Sequence, residues 1–513
     1  MRLTSPAVLL AAAVGTAACG IGGTSLTPEP VRLAIVVASP ASVQGGTSTN
    51  GTITLTGAAP SGGAAVTLSS SLTAASMPAA VTVAAGATPE APTAHSDGTR
   101  AARPAVRERL LLALRRGEVD RGPLGGLGLE EWNAVVDLAD VHGVTPALHR
   151  NLQSGWVRTP PDVGRRLRET ALAVGARNAR ALGHVARLLR DLRSAGIDVA
   201  VLKGADLVER VYDDVSLRPM ADVDLLVRSP DVRRASELLA ARGYVPGARE
   251  GGAAHQEAID ENLHVEPVRK PGGPLVELHY AIGVPARVGG IDMEGVWSRM
   301  ETGQVGGAPA RVLAPEDLLL HLCIHVALHH GFDARLVQLV DLGAVVDRLG
   351  GRIDWASLER RADEWGVRRA VALTFDLAER LVGPVAPPGA VPGLSGADRT
   401  GDDPVARAEE LLFQAGRRGM GSANLPALLG AGAWTAKALL VLRRTFPSPE
   451  EMAFTYRVPP GSPRILLLYP RRVLELLRRH GGTVRAVGAG DAEARRVLSM
   501  EQERAALVDW MQG

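Results

Sequence analysis

The chain has 513 residues, 57 basic against 55 acidic, two cysteines and 3% aromatic residues. It is long enough for more than one core, and its near balance of charge excludes a protein that coats nucleic acid by bulk charge. Cys19 and Cys323 cannot build a disulfide framework, and no apolar run reaches the roughly 20 residues needed to span a bilayer, so the bulk of the chain reads as soluble and globular.

Residues 1–22 pair Arg2 with a mostly apolar stretch from Pro6 to Ala18, and Thr16-Ala17-Ala18-Cys19 follows the pattern of a lipoprotein cleavage site. A genuine signal here would anchor the protein to a membrane; the alternative is a chance alanine-rich leader. Between Leu33 and Pro89 there is no charged residue. Within 31–90, VRLAIVV, GTITLTG, AAVTLSSS and AAVTVAAG alternate β-branched and small residues between Gly, Ser and Pro turn signals, which predicts four strands. The segment resembles a bacterial Ig-like repeat cut short, since a whole sandwich takes about seven strands. After a linker at 91–103 the composition turns to alternating arginine and acid.

Apolar spacing predicts helices over 104–195, ending at Gly196. Residues 196–285 then alternate strand and helix: IDVAVL, ADLVERVY, ADVDLLV, SPDVRRASELLAARGY with Ser229 as N-cap, NLHVEPV and PLVELHY. This is an α/β unit. Helices return over 286–382, a Pro/Gly-rich break occupies 383–404, and 405–513 reads as a last helical region.

Only three of the basic residues are lysines, Lys203, Lys270 and Lys437. A lysine kept in so arginine-rich a chain points to a position where a compact ammonium is needed, and Lys203-Gly204 lies at a strand-to-helix turn suited to a phosphate. Asp222 and Asp224 lie two apart in an apolar strand, so both carboxylates share one face. Adjacent carboxylates repel unless a cation lies between them, and a hard divalent metal with oxygen ligands is the usual solution. On these grounds, neutralising either one should relieve repulsion in the metal-free protein. Glu277 and His279 share a face of the PLVELHY strand in the same way.

Arg218 precedes the acidic strand and reads either as a clamp on phosphate or as a salt-bridge partner of Asp213 or Asp214. His321, His325 and His329 follow at i, i+4 and i+8 on a helix, either as a substrate or metal face or as a packed cluster; the H-E-x-x-H pattern is missing.

The order LKG, RPMADVDLLV, VELHY and LLLHLCIHVALHHGF, with RRTFPSPEEM and LLLYPRRV further on, resembles the uncharacterised nucleotidyltransferase family of the polymerase-β-like superfamily over roughly residues 107–478. The resemblance implies an α+β class: a nucleotidyltransferase core with a mixed sheet, embedded in a mostly helical chain, beside the short N-terminal β segment. It implies Asp222, Asp224 and Glu277 as catalytic and metal-binding residues, with Glu277 in the third acidic position. Lys203 and Gly204 stand in for a glycine-serine turn, and together with Arg218 they would bind nucleotide. His279, His325 and His329 are left for substrate or structure. The cofactor would be Mg²⁺, as two ions, or Mn²⁺; the partners a nucleoside triphosphate and an acceptor hydroxyl on a small molecule, sugar, peptide or protein; the compartment of the catalytic part the cytoplasm. The rival readings are a nucleotide-binding or toxin–antitoxin-like regulator on the same fold, and a surface lipoprotein using its Ig-like segment.

Overall fold

The computed structural model describes residues 104–155, 157–246, 265, 267–283, 290–391, 403–414, 461–474 and 492–512, positions 445, 446, 449 and 452, and the backbone of five strands in the first 97 residues. The chain forms two units, Met1–Asp97 and Gly98–Gly513. Their boundary falls where the charge pattern changes.

In the first unit the four expected strands are present as β2 (Leu33–Ser39), β3 (Asn50–Leu55), β4 (Ala64–Ser70) and β5 (Ala80–Val83). A fifth, β1 (Leu10–Val14), comes from the apolar stretch read as a leader, and it pairs antiparallel with β4. The LAAAV run offers a backbone with no charge or proline, so it can complete an open strand edge. The sheets are β1-β4-β5 and β2-β3. Thr16–Cys19 and the 91–103 linker lie outside the described residues.

The second unit begins with α1 (Pro104–Leu114), α2 (Leu129–Val141), α3 (Thr145–Gln153) and the 34-residue α4 (Pro161–Ser194). Gly196, at φ +68°, takes the left-handed conformation that ends α4 and lets β6 (Val199–Leu202) start. There follow α5 (Lys203–Arg210), β7 (Asp222–Val227), α6 (Val232–Ala241), β8 (Val245–Pro246), β9 (Val268–Arg269) and β10 (Leu275–His279). Ser229 opens a short 3₁₀ turn and Asp231, not Ser229, takes the N-cap position of α6. Of the predicted NLHVEPV strand, Val265, Pro267 and Val268 are described: Val268 opens β9, and Val265 N–H donates to the Leu278 carbonyl at 2.9 Å.

After α7 (Met293–Arg299) the hairpin β11 (Glu301–Val305) and β12 (Ala308–Val312) adds two strands to the sheet. The sheet therefore extends past residue 285, and the segment 286–382 is not wholly helical. The hairpin turns on Gly306 and Gly307, both at positive φ, as a two-residue turn requires. Glycine, proline and arginine in its strands hid it from a hydrophobicity reading.

The sheet order is β11-β12-β6-β7-β10-β9-β8. β12 and β6 are parallel, β6 and β7 antiparallel, β7 and β10 parallel, so the sheet is mixed. The remaining helices are α8 (Pro315–Ile324), α9 (Leu336–Leu349), α10 (Trp355–Glu364), α11 (Arg368–Val382), α12 (Pro404–Gln414) and a C-terminal helix, Ala492–Gln512. Among the described residues no helix is long and apolar enough to cross a membrane.

Alternation along the strands divides the core in two. Val199, Val201, Val223, Leu225, Val227, Val276 and Leu278 pack on one face, against α4 and α6. Ala200, Leu202 and Leu226 point the other way, into the larger core built by α8, α9 and α11. Asp224 and Glu277 belong to this second face, so they are held between the sheet and the helices that follow it.

Candidate active site

Asp224 stands opposite Leu202 across the antiparallel β6–β7 pair and opposite Glu277 across the parallel β7–β10 pair. The same register places Leu275 beside Asp222, one pleat toward the strand's start, and His279 two residues beyond Glu277. The period of two thus brings Asp222, Asp224, Glu277 and His279 to one face, as their spacing predicts. Asp224, Glu277 and His279 are all buried. Each of these three offers one ligand atom within 4.8 Å of the others. Two carboxylate oxygens and one imidazole nitrogen fit a divalent cation. Asp222, half-buried at the strand's start, lies outside that trio, and His279, read before as substrate-binding or structural, lies within it.

Two cationic or polar hydrogens already face Asp224. Lys203 Nζ lies 3.0 Å from its Oδ1, and His279 Nε2 lies 2.9 Å from the same oxygen. Burial alone would raise the Asp224 pKa, but the Lys203 ammonium and the His279 hydrogen bond outweigh it and hold the carboxyl below the usual range. Burial lowers the pKa of His279, against the pull of Asp224, so its ring is neutral and Nε2–H donates.

Lys203 is the first residue of α5 and has φ +43°; Phe332 is the other non-glycine at positive φ among the described residues. A left-handed lysine costs on the order of 1–3 kcal/mol, and such outliers concentrate at functional sites. The neighbouring Gly204 has a different task from the free backbone approach its sequence suggests. A Cβ on Gly204 would meet Arg218 Nη1 at 2.8 Å and Met220 Cγ at 3.4 Å, so glycine is needed for these side chains to pass beneath the turn.

The guanidinium of Arg218 forks onto Asp341 of α9, with Nη2 to Oδ2 at 2.9 Å and Nε to Oδ1 and Oδ2 at 3.3 and 3.2 Å. The salt bridge is therefore to Asp341 and not to Asp213 or Asp214, which lie in the loop before it. Asp341 is fully buried and also accepts from Tyr212 Oη at 2.7 Å. Burial would lower the Arg218 pKa, yet the Asp341 carboxylate raises it. Asn178 of α4 donates to the carbonyls of Val215 and Arg218, at 2.7 and 2.8 Å, and so fixes the loop leading into β7. A sequence reading misses Asp341 and Tyr212; the available signal is the one acid inside the mostly apolar VQLVDLGAVV.

The histidine helix is not a straight α-helix. After α8, residues His325–His329 form a π-turn, closed by His330 N–H to the His325 carbonyl at 3.1 Å. The extra residue breaks the i, i+4, i+8 line and gathers the rings, with His325 centred 5.1 Å from His329 and 4.5 Å from His330. Gln338 Oε1 accepts from Arg335 N–H, so its Nε2 donates to His325 Nδ1 at 3.1 Å, and a neutral His325 carries its proton on Nε2. His321 is buried with no hydrogen-bond partner on either ring nitrogen. Leaving such a group unpaired costs on the order of 1–3 kcal/mol. Burial and the nearby Lys203 ammonium lower its pKa to about 3. A small cavity of about 10 Å³ lies between this turn and the acidic trio, lined by Lys203, His279, Ala281, Gly283, His321, Ile324, His325 and His329.

Residues 129–383 match the sequence profile of a family described as uncharacterised nucleotidyltransferase. This part of the chain is similar to that family. The matched segment runs from the first residue of α2 to the end of α11 and contains every side chain of the site above. An antigenic nucleotidyltransferase-like protein from Paracoccidioides brasiliensis, known from its crystal structure, aligns with 39% of this chain and 93% of its own length at 17% identity and a TM-score of 0.24. No curated protein sequence matches the chain.

Proposed function

We propose that the chain transfers a nucleotidyl group from a nucleoside triphosphate, most simply ATP, to an acceptor hydroxyl. The observation that supports this reading most is the convergence of Asp224, Glu277 and His279 on one sheet face beside a strained, buried lysine. In the reaction the acceptor oxygen attacks the α-phosphorus and forms a new P–O bond. The bond from that phosphorus to the β-phosphate oxygen breaks, and its electron pair leaves on pyrophosphate. Glu277, buried next to Asp224, takes the hydroxyl proton. Lys203 and the α5 N-terminus hold the phosphates, since three donors on a flexible stem and free N–H groups both suit them.

Asp222, Asp224, Glu277 and His279 are the residues that would hold Mg²⁺ or Mn²⁺, which supplies charge neutralisation for the attacking and leaving oxygens. Arg218 acts in this reading as a positioning residue that fixes the turn carrying Gly204 and the approach to β7. The need for a nucleoside triphosphate places the reaction in the cytoplasm. Incubating the protein with labelled ATP, cell extract and Mg²⁺ tests the proposal. Label should move to an acceptor with wild type and not with Asp224→Asn, and transfer that persists in the variant overturns the reading. Nucleotide binding without metal-dependent transfer would favour a regulator on the same fold.

A further inference from the structure

We propose that the histidine-lined cavity above Lys203 is a phosphoryl-oxygen subsite, with His321 as its principal donor. The inference rests on the nucleotidyltransferase reading and names the group of the substrate that this part of the site takes: a terminal phosphate of the triphosphate, retained on pyrophosphate after transfer.

His321 supplies the first reason. It is buried, neither ring nitrogen has a partner, and its ring borders the cavity. A buried polar group left unpaired calls for an explanation, and a ligand atom in the adjoining cavity supplies one. The second reason is the sign of the walls. Among the described residues the cavity is lined by one ammonium and four imidazoles and by no carboxylate, although the acidic trio lies just behind His279. His325 is held by Gln338 in the tautomer that leaves an N–H on its other nitrogen, so it can donate beside the Lys203 ammonium. An anionic oxygen fits an ammonium and N–H donors of this kind. The ring centroids agree, since His321 and His325 stand 6.3 Å apart, and the histidines of the π-turn form no metal-ligand group among the described residues.

Size defines which part of the ligand enters. The space is that of about one water-sized group, so it takes a single phosphoryl oxygen while the rest of the phosphate lies at the mouth, over Lys203. Lys203 then serves both sides: its Nζ touches Asp224 and its side chain lines the cavity.

Calorimetric titration of the full chain with inorganic pyrophosphate, and separately with Mn²⁺ alone, tests the subsite. His321→Leu should weaken pyrophosphate binding by about tenfold or more, the loss of one hydrogen bond to a charged oxygen, while Mn²⁺ affinity stays within about twofold. His321→Gln keeps an N–H donor and should recover part of the loss; if the leucine variant does not fold, an intermediate loss in the glutamine variant carries the test. Pyrophosphate bound by both variants as tightly as by wild type overturns the proposal. If those variants are unaffected while Asp224→Asn abolishes transfer, the subsite fails and the nucleotidyltransferase reading stands. If wild type transfers no nucleotide yet loses pyrophosphate affinity on His321→Leu, the anion subsite stands and the enzymatic reading fails.

Discussion

Lys203 and Asp224 form a buried ion pair, Nζ to Oδ1 at 3.0 Å, across the junction of one strand with the next helix. The partner of Asp224 in this structure is thus supplied by the chain itself. That reverses the expectation from sequence that neutralising either aspartate would relieve repulsion. Removing one member of a buried pair strands the other charge, at a cost of about 3–5 kcal/mol. Asp224→Asn should therefore lower the melting temperature in metal-free buffer, and it should lose the stabilisation that Mg²⁺ gives the wild type. An unchanged or raised melting temperature would show that the pair is not formed in solution.

Lys203→Met removes the internal cation and leaves Asp224 dependent on His279 alone. The variant should be less stable than wild type without metal, and added Mn²⁺ should raise its melting temperature by more than it raises that of wild type. Lys203→Arg keeps the charge but brings a longer planar fork to a residue at φ +43°. Nucleotide affinity should fall about tenfold, which is ~1.4 kcal/mol. Equal affinity for ATP in a titration of the two proteins would remove Lys203 from the phosphate site.

Arg218→Ala should act on folding and not on nucleotide. Its loss leaves the buried Asp341 carboxylate with the Tyr212 hydroxyl and no cation beside it among the described residues, so the stability cost should be about 3–5 kcal/mol. Denaturation curves give that cost directly. Nucleotide affinity measured well below the unfolding transition should stay within about twofold of wild type, and a larger loss would restore Arg218 as a phosphate clamp.

His142 gives a pH dependence. Burial first, then the charges of Arg335 and Arg107, lower its pKa to about 4. The folded protein therefore keeps it neutral where the unfolded chain, near 6.5, takes a proton. Stability from this group is present above pH 6.5 and falls as the pH drops toward 4, by up to about 3 kcal/mol at ~1.4 kcal/mol per unit. Asp206, raised by burial to about 6 against the pull of Arg210, works the opposite way and regains stability between 6 and its unfolded value of 3.8. Comparing wild type with His142→Asn in urea at pH 7 and pH 5 isolates the histidine: the variant should show the smaller loss.

Much of the site was legible because it depends on strand periodicity. Asp222, Asp224, Glu277 and His279 needed only a spacing of two and an apolar setting to be placed on one face. The pairing of β7 with β10 needed more, because about fifty residues separate them and nothing local sets that register. Asp341 stayed hidden for the same reason: its meaning comes from Arg218, more than a hundred residues away. The π-turn escaped because HVALHH satisfies an α-helical pattern equally well, and the extra residue is selected by packing. The hairpin of β11 and β12 was missed because its Gly and Pro residues read as loop, although β12 pairs with β6 through Arg311 and Val312.

Residues 98–513 hold their own core, and the family match lies wholly within them. Removing residues 1–97 should leave both the melting temperature and nucleotide transfer of the remainder unchanged. A fall of more than a few degrees would mean that the first unit supports the second.

The order of strands in the mixed sheet also governs how the chain is made. During synthesis β6 and β7 emerge close together and can pair as a local antiparallel unit. Both of their outer neighbours are parallel and come later, β10 from 275–279 and β12 from 308–312. Until then a growing chain carries two open strand edges, VAVL and DVDLLV, the most apolar in the sheet, and parallel pairing over long separations is slow. The charge of Asp222 and Asp224 then falls on one of those edges, where it discourages edge-to-edge association of unfinished chains. The same two carboxylates thus guard the growing sheet on the ribosome before the fold is complete.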